Sequence, residues 1–115
     1  MVRRFFQTIF VMSAVAVAIL SLHPRPNLPD PIANLGDLSI HFVGYAALGV
    51  NAVLGWPARL ALAAIALPVF GIGMEIGQLA VPGRFFEWVD ALANTLGAAS
   101  GVLVGIGLVR LLPKY

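Results

Sequence analysis

Apolar residues in this chain come in long unbroken runs, not in the alternating or one-sided patterns of soluble strands and helices. Four runs stand out, at about residues 5–22, 38–56, 59–80 and 88–112. The first, 18 residues from Phe5 to Leu22, spans about 27 Å as a helix, close to the hydrocarbon thickness of a bilayer. The breaks between runs are short. Four prolines within residues 24–31 forbid a helix there, Trp56-Pro57 separates the second run from the third, and Val81-Pro82-Gly83-Arg84 reads as a turn. The pattern predicts an all-α integral membrane bundle of four transmembrane helices, with residues 1–115 forming a single transmembrane domain. Arg3 and Arg4 before an apolar run, and small-residue steps such as Ala14-Val15-Ala16, also fit a cleaved signal peptide. The run is longer than the usual signal core, so it is expected to be a permanent first span.

Composition strengthens this reading and removes others. Sixty per cent of the 115 residues are hydrophobic and 10% are charged, with a mean hydropathy of +0.95. A soluble domain carries about a quarter charged residues to keep its surface wet. The net charge of +2 comes from scattered residues without a basic stripe, so nucleic acid is not an expected partner. Cysteine is absent, which excludes disulfides, a thiolate nucleophile and sulfur ligation. With the N-terminus inside, cytoplasmic parts hold Arg3, Arg4, Arg59, Arg110 and Lys114, while outer parts hold only Arg25 and Arg84. The bias places both termini in the cytoplasm.

Polar residues inside the runs are few and regularly spaced. Asp37, His41, Gly44, Leu48 and Asn51 lie along one stripe of the second span. Gly71, Glu75 and Gln78 share a face of the third, and Asp90, Asn94, Gly97 and Gly101 share one of the fourth. Under the expected topology Asp37, His41, Glu75, Gln78, Asp90 and Asn94 all reach the outer leaflet. A charged carboxylate well inside a bilayer costs about 2.5–3.5 kcal/mol, so Glu75 is expected to have a partner among His41, Gln78 and Arg84. Helix–helix glue is the plainer role for such a cluster, and a functional site is the sharper one. Gly97, Gly101 and Gly105, and likewise Gly73 and Gly77, form small-residue ridges suited to close helix packing. Pro68 is expected to kink the third span below Glu75.

Catalytic templates fit poorly. Asp37, His41, Glu75 and Asp90 offer oxygens and one imidazole, whereas a hydrolytic zinc site normally has at least two nitrogen or sulfur ligands. His23 sits in the proline segment, Ser39 points off the His41 face, and Ser100 lies deep in its span. No phosphate-binding loop is present. The reading therefore assigns no catalytic residue, no metal and no cofactor, and leans away from an enzyme.

The run Asp37-Leu38-Ser39-Ile40-His41-Phe42-Val43-Gly44-Tyr45 resembles the D-K-x-x-H-x-x-x-Y segment of VanZ-like membrane proteins. Glu75-x-x-Gln78, Pro82-Gly83-Arg84 and Asp90-x-x-x-Asn94-x-x-Gly97-x-x-x-Gly101 follow in that family's order. Leu38 stands where the family usually has lysine, which removes a cation from the cluster. The resemblance, over roughly residues 37–105, implies a small multi-pass protein of the bacterial cytoplasmic membrane. The family takes its name from a member linked to low-level teicoplanin resistance. Besides membrane lipids, the expected partners are other membrane subunits, with the chain a non-enzymatic accessory or structural component. The alternative is a stand-alone envelope factor that binds a lipid-linked or glycopeptide ligand through Asp37, His41, Tyr45, Glu75, Gln78, Arg84, Asp90 and Asn94.

Overall fold

In a computed structural model the chain is all-α. The structure describes residues 2–23, 31–82 and 87–112, with side chains over 2–23, 38–82 and 87–112. Among the described residues there are four helices, α1 (Val2–Leu22), α2 (Pro31–Gly55), α3 (Leu60–Gln78) and α4 (Trp88–Leu111). Four apolar segments, Val2–Leu22, Leu38–Gly55, Leu60–Gln78 and Trp88–Leu111, are long and apolar enough to cross a membrane. The chain is a four-span membrane bundle.

Helix ends depart from the apolar runs where local chemistry allows. α2 begins at Pro31, well before the apolar run at Leu38. Proline tolerates a helix's first position, because the N–H it lacks has no partner there and its φ is already helical. Pro31, the last of the four prolines, is thus the first residue of the helix. At the other end of α2, Arg59 N–H reaches the Trp56 carbonyl at 3.0 Å, closing a turn around Pro57. α3 continues through Pro68, although the carbonyl one turn earlier loses its N–H donor. Beyond Gln78 the chain tightens, with Leu79, Ala80 and Val81 each bonding back three residues at 3.0–3.1 Å.

Small residues set the packing. α2 and α4 run parallel and share the most extensive interface, although two helices apart in sequence. A Cβ added to Gly97 would land on the Phe42 carbonyl oxygen, and one on Gly101 would land on that of Ala46. At Gly105 it would lie 2.8 Å from Val53 Cβ. From the α2 side, Gly49 contributes the same device, since a Cβ there would stand 2.6 Å from the Ala98 carbonyl oxygen. Bare backbone is what lets these two helices touch.

The remaining contacts fasten α1 and α3 around that pair. α1 packs on α2 and α3 and, among the described residues, not on α4. Gln7 Nε2 donates to the Gly55 carbonyl at 2.8 Å, and Phe10 meets Trp56 edge to face at 5.4 Å. At the opposite end a Cβ on Gly77 would come within 3.1 Å of Leu22. Gly73 differs from the other ridge positions, for nothing lies within 4 Å of where its Cβ would be. The core comprises Tyr45, Leu48, Ala52, Val53, Leu67, Ala98 and Val102. Leu103 and Val104 on the far side of α4 stay exposed to the surroundings of the bundle.

Candidate functional site

Helical spacing puts two polar residues per helix on the inward faces at one end of the bundle. On α2 these are His41 and Tyr45, on α3 Glu75 and Gln78, and on α4 Asp90 and Asn94. The glycine ridge of α4 continues the Asp90–Asn94 stripe, so the close α2–α4 approach carries both residues inward. Gly71 makes room beside them: a Cβ there would be 3.1 Å from Asn94 Cβ and 3.2 Å from Tyr45 Cε2. All six polar residues are buried, Glu75 completely.

The inner geometry starts from the imidazole. His41 Nδ1 lies 3.0 Å from Asn94 Oδ1, and in the tautomer protonated at Nδ1 it donates to that oxygen. Nε2 then faces Asp90 Oδ2 at 3.9 Å, too long for a direct hydrogen bond. Glu75 Oε2 accepts the Glu87 backbone N–H at 3.3 Å. Glu87 is the extended N-cap residue of α4, and Asp90 sits in that helix's first turn. Both acids therefore gather at the positive end of α4, where a carboxylate gains about 0.3–1 kcal/mol. One ligand-type atom from each of His41, Glu75 and Asp90 lies within 4.8 Å of the other two.

Some buried polar atoms at the site have no hydrogen-bond partner among the described residues. They include the Tyr45 hydroxyl, Gln78 Nε2 and Asn94 Nδ2, each buried. Leaving such a group unsatisfied costs about 1–3 kcal/mol, so each calls for an explanation. A cleft of about 110 Å³ between α1 and α2 is lined by Leu20, Ser21, His41, Gly44 and Tyr45 and leads to the imidazole.

The structure brings His41, Tyr45, Glu75, Gln78, Asp90 and Asn94 together. Arg84 and the side chain of Asp37 lie outside the described residues. Asn51, on the same sequence stripe as His41, lies about 15 Å further along α2, where its amide donates back to the Ala47 carbonyl at 2.8 Å. Two contributors escape the spacing argument. One is the Glu87 backbone N–H, which no side-chain pattern reveals. The other is Ser21, buried in the last turn of α1; a lone hydroxyl at the same end of the bundle was its signal.

Comparison with curated proteins and with solved structures gives no match. A family model described as VanZ/LLP1 matches residues 2–111. That span takes in all four helices and every described residue of the buried cluster. The chain belongs to the VanZ/LLP1 family.

Proposed function

We propose that this protein is a stand-alone factor of the bacterial cell envelope, whose buried polar cluster binds the polar part of a lipid-linked or glycopeptide ligand. The observation that carries this reading is the meeting of His41, Glu75 and Asp90, from three helices, within 4.8 Å inside an apolar bundle. Glue alone would be expected to satisfy its own polar atoms, yet three buried ones beside this trio have no described partner. The apolar cleft reaching His41 and Tyr45 suits a hydrocarbon segment of the same ligand. The five-to-two bias of basic residues supports the outer leaflet of the cytoplasmic membrane as the cluster's location, with both termini in the cytoplasm. His41→Ala and Asp90→Asn should abolish the protein's effect on glycopeptide susceptibility in expressing cells while the variants remain inserted and monodisperse. Folded variants that retain the full effect would sink this reading.

A second reading, an accessory subunit on a larger membrane assembly, is favoured by Gly73 and Gly107. Both lie on exposed helix faces with nothing within 4 Å of a would-be Cβ, leaving bare backbone open to a helix of another chain. Native mass spectrometry from mild detergent decides it: a stable heteromer supports the subunit role, and a lone chain opposes it.

A further inference from the structure

We infer that His41, Glu75 and Asp90 form a binding site for one divalent metal cation. The inference rests on reading the cluster as a ligand site and names its first ligand.

The imidazole is set up for the task. A metal-binding histidine presents one nitrogen to the ion and donates its other N–H to a nearby acceptor, which fixes the tautomer and ring orientation. Asn94 Oδ1 is such an acceptor, 3.0 Å from Nδ1. In the tautomer protonated at Nδ1, Nε2 keeps its lone pair, 3.9 Å from Asp90 Oδ2. With metal–ligand bonds of about 2.0–2.2 Å, ligand atoms stand about 3.4 Å apart in a tetrahedron and about 4.2 Å apart across an octahedron. The observed 3.9 Å is about half an ångström wider than the tetrahedral separation and shorter than the trans octahedral one. A Glu75 oxygen completes the trio inside a 4.8 Å limit, wider than a filled site by roughly an ångström, within the reach of side-chain rotation.

The atoms around the trio support the same ligand. The Tyr45 hydroxyl, Gln78 Nε2 and Asn94 Nδ2 are buried donors without a described partner, each about one helical turn from a metal-ligand residue on its own helix. Donors do not bind a cation directly. They bind the oxygens of water or of an oxyanion that the cation carries. One imidazole with two carboxylates and no sulfur fits Mn²⁺ or Zn²⁺. The scarcity of nitrogen ligands argues against hydrolytic zinc chemistry, not against binding.

The test uses the full chain, its affinity tag removed, stripped with chelator in detergent and dialysed against Mn²⁺ or Zn²⁺. Mass spectrometry of the bound metal should give one ion per chain, with affinity at least about tenfold lower in His41→Gln and Asp90→Asn. The same ion should raise the melting temperature of the parent and not that of Asp90→Asn. No retained ion, or equal retention by parent and variants, overturns the metal site. If those variants fold, and lose the envelope effect although the parent holds no metal, the metal falls and the ligand site stands. If metal and envelope effect are both indifferent to them, both readings fall.

Discussion

His41 takes its orientation from a residue 53 positions away in the chain, the Asn94 amide. Replacing Asn94 with leucine strands the Nδ1 proton in an apolar interior, and we expect a loss of about 1–2 kcal/mol in reversible unfolding from detergent. Tyr45 is the opposite case. Its hydroxyl is buried with no partner among the described residues, so Tyr45→Phe removes a polar atom and little else. Stability should hold or rise by up to about 1 kcal/mol in the same assay, while occupancy of the ligand site falls. A loss of more than about 1 kcal/mol would show that the hydroxyl is bonded after all.

At the level of elements, the α2–α4 contact positions the site, and glycine makes that contact. Gly101→Ala would place a methyl on the Ala46 carbonyl oxygen, and neither backbone can rotate away. The two helices must separate, at a cost of about 1–3 kcal/mol from overpacking, and the separation would draw His41 off Asn94. Gly73→Ala is the control. Its Cβ meets nothing within 4 Å, so the better helix propensity of alanine should leave stability unchanged or raise it by up to about 1 kcal/mol. Equal behaviour of the two variants in detergent melts would contradict the assigned interface.

For the whole molecule, four spans place both termini on one side of the membrane and the polar cluster near the other. The chain contains no cysteine, so single introduced thiols report sidedness without background. A thiol at Ala58, in the α2–α3 turn, should react with an impermeant maleimide only after cells are opened. One at Ala80, beyond the end of α3, should react in intact cells. The reverse pattern would invert the proposed orientation and move the cluster to the cytoplasmic leaflet.

The all-α class and the four membrane-spanning helices were legible in the sequence. Apolar run length and helical spacing are local properties, and the bilayer allows few alternatives to a helix. Gly97 and Gly101 even marked which side of α4 would be approached closely. The sequence did not determine which helix does the approaching. That α2 is the partner, with Gly49 contributing from its side, depends on four helices competing for one small-residue ridge. Nor did it disclose that Asn94 turns the His41 ring, that the Glu87 backbone N–H meets Glu75, or that Gly73 faces outward. Those facts depend on rotation and depth differences of a few ångströms between helices. Spacing along one helix carries no information about such offsets; only the packed bundle decides them.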